Sequence, residues 1–157
     1  MLFEANDFIV LDAPVDAPLE SWTSGTAEGR LVGGNLALLA AAEGTPYAMP
    51  SDGAILFIED IGEAPYRVDR LLMQLLLSGA LQNIAGVIIG QFTDCDDASC
   101  AVRDVLHAQL ANLGVPVIAN APIGHVPDNW TVPVGARARI ETAGPQPVLT
   151  ILERVVS

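Results

Sequence analysis

Asp52-Gly53-Ala54-Ile55-Leu56-Phe57-Ile58-Glu59-Asp60 is the stretch on which the fold turns. Five apolar residues in succession, entered from Asp-Gly and left through two carboxylates, have the length of a strand and are apolar on both faces. Such a run reads as a strand buried from both sides, the usual condition in a parallel sheet. Gly86-Val87-Ile88-Ile89-Gly90 repeats the pattern, and Val117-Ile118-Ala119 gives a third, shorter run. Between the first two, Val68, Leu71, Leu72, Leu75 and Leu76 fall at helical spacing, with Pro65 suited to a first turn and Gly79 to the end. Between the second and third, an acidic loop leads into a helix expected over 101–113 that carries Val102, Val105, Leu106 and Leu110. Strand, helix, strand, helix, strand predicts a parallel sheet with right-handed crossovers.

Upstream, Gly33-Gly34-Asn35 opens a run of good helix formers, Leu36 to Ala42, with Asn35 as its N-cap and Gly44 as its stop. Residues 1–27 read as a strand at Phe8-Ile9-Val10-Leu11 and then a loop through Pro14, Pro18 and the Ser21 to Thr26 cluster. Downstream, Ala136 to Glu141 and Val148 to Glu153 flank Gly144-Pro145 and predict a β-hairpin. The expected class is α/β, a mainly parallel sheet flanked by helices with a C-terminal hairpin added.

The chain has 157 residues, enough for one core, and 51% of them are hydrophobic. A formal net charge of −12 disfavours nucleic acid and anionic lipid as partners. No stretch approaches the ~20 apolar residues of a membrane span, and the start has no basic region followed by an apolar run. Cys95 and Cys100 alone do not make a disulfide framework, so a reducing cytoplasm is expected. Fourteen glycines and eleven prolines beside so much apolar content leave little polar surface to cover the core. Some apolar surface is therefore expected to meet another domain or subunit.

Two residues stand where chemistry is expected. Glu59 directly follows an apolar strand, at the carboxyl end where ligand crevices form in open α/β sheets. The bland alternative, that Glu59 and Asp60 only mark the strand's exit into water, has about even weight. His125, in Ala121-Pro122-Ile123-Gly124-His125-Val126-Pro127, lies past the Val117 strand on the same carboxyl side. A histidine base needs a partner that fixes its tautomer, and Glu59 is of the right type. A solvent-exposed or structural histidine is the commoner outcome for a lone loop position.

The nucleophile is the gap. Ser21, Ser24, Ser51, Ser78, Ser99 and Ser157 include none in a Gly-x-Ser-x-Gly elbow. Asp94, Asp96 and Asp97 around Cys95 are expected to raise its thiol pKa and disfavour the thiolate. The spacing of Asp94, Cys95, Asp96, Asp97 and Cys100 fits neither a zinc ribbon nor an EF-hand, so a solvated acidic loop outweighs a metal-dependent hydrolase. Glu28 to Asn35 is glycine-rich without the Lys-Ser/Thr ending of a phosphate loop, and tight packing explains it better. His107, in a helix of mixed polarity, reads as a surface residue.

Glu28-Gly29-Arg30-Leu31-Val32-Gly33-Gly34-Asn35-Leu36, Gly44-Thr45-Pro46-Tyr47, Ile55-Leu56-Phe57-Ile58-Glu59-Asp60, Arg67-Val68-Asp69-Arg70, Gly86 to Gly90, Pro122-Ile123-Gly124-His125 and Pro133-Val134-Gly135 together resemble the carboxy-terminal domain of the LD-carboxypeptidases. This serine peptidase family also contains the microcin C self-immunity hydrolase. The resemblance runs from about residue 28 to 153. It implies a swivelling β/β/α-type domain carrying a glutamate and a histidine, here Glu59 and His125, with the serine on an amino-terminal domain.

It further implies removal of a terminal D-amino acid from murein peptides during cytoplasmic peptidoglycan recycling, with no metal or other cofactor. The division expected from this is 1–27 as linker and lead-in strand and 28–157 as the family domain, with the amino-terminal serine domain absent and the chain by itself inactive. A homodimer is expected over the uncovered face. Asn35 is a candidate for shaping the substrate crevice, with a purely structural cap equally weighted. The rivals are a non-catalytic module that binds a peptide or metabolite, and a microcin-type acyl-adenylate hydrolase.

Overall fold

The structure, a computed structural model, describes residues 9–11 and 13–153. Phe8, expected in the first strand, and Ser157 lie outside them. In chain order the elements are β1 (Ile9–Leu11), β2 (Glu20–Thr23), β3 (Thr26–Asn35), α1 (Leu36–Ala42), β4 (Ile55–Ile61), α2 (Pro65–Ser78), β5 (Gly86–Thr93), α3 (Val102–Leu110), β6 (Val117–Ala119), β7 (Arg137–Glu141) and β8 (Val148–Ile151). The strands lie in the order β1-β8-β7-β3-β4-β5-β6-β2. β3, β4, β5 and β6 are parallel neighbours, and a helix links each to the next. β2 closes one side antiparallel to β6, while β7, β8 and β1 continue antiparallel on the other.

Strict alternation along the buried strands divides the core. Leu56, Ile58, Val87, Ile89, Val117 and Ala119 pack with Leu36, Val68, Leu72, Leu75, Leu106 and Leu110 of the three helices. Ile55, Phe57, Ile88 and Ile118 point the other way, against Ala138, Ile140, Leu149 and Ile151 of the β7–β8 hairpin. Helices, parallel sheet and hairpin therefore form three layers, the α/β arrangement with an added β layer that was expected. β3 serves two of them: residues 26–30 pair with β7, and residues 31–35 pair with β4.

The structure corrects the reading of the first third. Ser21 to Thr26 is not simply a loop, because β2 takes up part of it, and the glycine-rich string from Glu28 is the long strand β3. β3 has a single valine, Val32, and no isoleucine or aromatic residue to mark it as a strand, and its glycines answer to a neighbour instead. At Gly33, where φ is +145°, a side chain would collide with the Phe57 carbonyl of β4. β4 and β5 also run further than their apolar cores, to Ile61 and Thr93, and α3 is shorter than expected, Val102–Leu110.

Candidate active site

Glu59 lies inside β4, not just beyond it, and the pleat gives it and Asp60 opposite faces. Asp60, 2% exposed, follows Leu56 and Ile58 to the helix side. Its Oδ2 accepts from the Ala37 N–H at 3.0 Å, and its Oδ1 accepts from the Asn35 amide and the Ile61 N–H, each at 2.8 Å. Asn35 is the N-cap of α1, its Oδ1 accepting from the Leu38 N–H at 3.2 Å. Both polar ends of the Asn35 amide are thus engaged in starting α1 on the end of β3.

Glu59 follows Ile55 and Phe57 to the hairpin side, where the loop after β6 passes over it. That loop is tied along β5: the Ala121 N–H donates to the Ile89 carbonyl at 3.0 Å, and the Gln91 N–H to the Ile123 carbonyl at 2.8 Å. Further on, the Thr93 hydroxyl donates to the His125 carbonyl at 3.1 Å, and the Gly124 N–H donates to Asn129 Oδ1 at 3.2 Å. Gly124, at φ +123°, lies directly on the glutamate; a Cβ there would sit 2.8 Å from Glu59 Oε2 and 3.0 Å from Glu59 Cβ.

The outcome is a contact of 2.9 Å between His125 Nδ1 and Glu59 Oε2. The Glu59 side chain is 10% exposed and the His125 side chain 53%. With a carboxylate as acceptor, the proton in this bond is the one on Nδ1, which leaves Nε2 as the acceptor nitrogen of the neutral ring. Such a pair can take a proton from an approaching hydroxyl and hold the resulting imidazolium beside a buried negative charge. Ser21, Ser78 and Ser99 do not supply that hydroxyl to His125, since theirs donate to the Thr142 carbonyl, the Leu75 carbonyl and Asp97 Oδ1.

The acidic loop after β5 is occupied with its own backbone. Asp96 Oδ1 accepts from the Val102 N–H at 2.7 Å, at the start of α3. Asp97 Oδ1 accepts from the Ser99 N–H, the Ser99 hydroxyl and the Cys100 N–H at 2.8, 2.6 and 3.0 Å. Among the described residues, no three His, Cys, Asp or Glu side chains come together in a metal-holding group. Burial pushes the Cys95 thiol up, aided by the charges of Asp60 and Glu63 and opposed by N–H groups of Glu63 and Gly62. The direction is the expected one, but the cause is burial and the carboxylates of Asp60 in β4 and Glu63 just after it, not Asp94, Asp96 and Asp97. His107 is exposed as expected, and its ring lies 5.0 Å from that of Trp22 on β2. Thr93, Gly124 and Asn129 were not anticipated as parts of the site; only the glycine beside His125 carried a signal.

A buried carboxylate against a half-exposed imidazole, at the carboxyl end of a parallel sheet with helices on one side and a hairpin on the other, defines this chain as an α/β domain. The profile of the LD-carboxypeptidase C-terminal domain matches residues 28–140, and the chain belongs to that family. It is 38% identical over 146 residues to a probable murein peptide carboxypeptidase of Bacillus subtilis, covering 90% of this chain and 45% of that protein. The crystal structure of a muramoyltetrapeptide carboxypeptidase from Oxalobacter formigenes superposes with a TM-score of 0.73 at 38% identity, covering 85% of this chain and 49% of the other. The microcin C7 self-immunity protein without ligand shares the fold, with a TM-score of 0.85 at 22% identity over 98% of this chain and 52% of its own. The chain thus spans about half the length of these relatives.

Proposed function

We propose that this chain supplies Glu59 and His125 of a serine-type LD-carboxypeptidase that removes a terminal D-amino acid from murein peptides. The observation that carries the reading is the 2.9 Å contact between the buried Glu59 carboxylate and His125 Nδ1. In the proposed mechanism a serine on a separate amino-terminal domain, where the family resemblance puts it, approaches His125 Nε2. His125 takes the hydroxyl proton as the oxygen attacks the scissile carbonyl, Glu59 stabilises the imidazolium, and the same proton passes to the departing amine. Water then releases the acyl group by the same route in reverse. Asn35 and Asp60 shape the crevice indirectly, by fixing where α1 leaves β3.

Leu38 in the first turn of α1, Ile61 at the end of β4 and Tyr66 in the first turn of α2 are exposed large apolar side chains at the carboxyl end of the sheet. This supports the docking of a further polypeptide surface at that end, which we assign to the serine-bearing half. A homodimer and a cytoplasmic role in peptidoglycan recycling complete the proposal.

The test is release of D-alanine from a murein tetrapeptide. The 157-residue chain alone is expected to release none, and the chain joined to or mixed with a serine-bearing half is expected to be active. Full activity of the chain by itself would refute the shared triad. Tight peptide binding without turnover in the assembled form would favour the binding module.

A further inference from the structure

His125 is half exposed and sits on a loop, so something must hold its ring in one orientation against solvent motion. Side chains within β5 and the loop provide the means, and the register of β5 explains how. Ile58 pairs with Ile89 and Asp60 with Phe92, so β4 advances two residues while β5 advances three. By plain alternation from Ile89, Thr93 would face the helices. The extra residue of this bulge sends it across the sheet instead. Phe92 takes the helix side, where it packs on that core, and Thr93, paired with Ile61, comes to the side of Glu59.

Thr93 is itself well anchored. Its carbonyl accepts from the Gly62 N–H at 2.9 Å, so its hydroxyl is presented from a strand end fixed by backbone pairing. That hydroxyl meets the His125 carbonyl at 3.1 Å.

We propose that Thr93 is a positioning residue: through the His125 carbonyl it sets the rotation at which Nδ1 meets Glu59 and Nε2 faces the approaching nucleophile. The bulge in β5 is the device that aims it, in keeping with the use of bulges to re-aim side chains beside active sites. This inference rests on Glu59 and His125 being the proton-handling pair.

The experiment uses the full chain and long-range ¹H–¹⁵N NMR of its imidazoles at alkaline pH, well above the ordinary imidazole range. His125→Ala assigns the signals against those of His107. In the unmutated chain the proton is expected on His125 Nδ1. Thr93→Val and Thr93→Ala are expected to lose that single form for a mixture of tautomers, with the amide signals of β7 and β8 unchanged, and Thr93→Ser is expected to keep it.

Valine and alanine variants with the unmutated imidazole spectrum would overturn the proposal. So would a serine variant that behaves like valine, or loss of folding in both hydroxyl-free variants, which would make the role structural. A proton on Nε2 in the unmutated chain is a separate result: it breaks the Glu59 and His125 pair itself. In the assembled enzyme, Thr93→Val is expected to lower kcat about tenfold at constant KM, as a small misplacement of a base does. A raised KM at constant kcat would also overturn it.

Discussion

Two acidic stretches stand at the carboxyl ends of adjacent parallel strands, Glu59-Asp60 on β4 and Asp94-Cys95-Asp96-Asp97 after β5, and they are put to different uses. In the second, Asp96 and Asp97 accept from backbone N–H groups and a serine hydroxyl within their own loop and the helix it leads into. Asp60 is engaged in the same way, at the start of α1. Glu59 differs in that its carboxylate faces a titratable ring from a distant segment. The number of carboxylates in a stretch therefore says little about chemistry. What matters is whether the oxygen satisfies a backbone donor, which only builds structure, or a group whose charge can change.

The largest expected effect tests that difference directly. In the assembled enzyme, His125→Ala and Glu59→Ala should each lower kcat by on the order of 10²–10⁴, the usual worth of a positioned acid-base group. Asp96→Ala, Cys95→Ala and Cys100→Ala should change turnover little in the same D-alanine assay. Equal losses in both sets would erase the contrast between the two stretches.

Gly124→Ala comes next. It forces a Cβ to 2.8 Å from Glu59 Oε2 at a φ of +123°, and should cost about 1–3 kcal/mol in a denaturant titration while breaking the imidazole contact. Retention of both stability and the His125 tautomer would show that the loop does not press on Glu59 as described.

Asp60→Ala and Asp96→Ala form a matched pair, because each removes an acceptor from backbone N–H groups at the start of a helix. Each should lower stability by about 0.5–2 kcal/mol, as loss of a cap does. Asp60, buried and also holding Asn35, should be the costlier.

The cysteines sharpen the same boundary by reactivity. Cys95 is buried with its thiol pushed up, so a thiol reagent at neutral pH should modify Cys100 well before Cys95, read by mass spectrometry after brief labelling.

The smallest effect belongs to a carboxylate outside both stretches. The hydrogen bond and charge of Arg103 hold the Glu20 carboxyl below its ordinary value. Being depressed on folding, it stabilises the fold above the unfolded carboxylate range, and that contribution fades as pH falls through the folded value. With side chains 54% and 39% exposed, the pair is worth less than about 1 kcal/mol. The stability gap between the unmutated chain and Glu20→Gln should therefore be small at neutral pH and vanish in acid.

The parts of the molecule that were legible share one property: their residues carry a local pattern. β4, β5, β6, α2 and the hairpin announce themselves by continuous apolar runs, helical spacing or a turn pair, because burial imposes that pattern on each segment by itself. β2 and β3 do not. Ser21 to Asn35 is polar and glycine-rich, and it becomes strand because β4, β6 and β7 offer edges to pair with. Glu59 and His125 were singled out as candidates from their positions at the carboxyl side of the strands and from the family resemblance, but their mutual distance was not legible.

Sequence by itself determined the α/β class, the helix side of the core, and two candidate residues on the carboxyl side of the sheet, since each follows from local periodicity and chain order. Only the tertiary structure decided that Glu59 and Asp60 part to opposite faces with different partners, that an extra residue in β5 turns Thr93 toward His125, and that Gly124 makes room for the glutamate. Those outcomes depend on register and on the approach of segments 66 residues apart, such as Glu59 and His125, and no local pattern encodes how two distant pieces of chain meet.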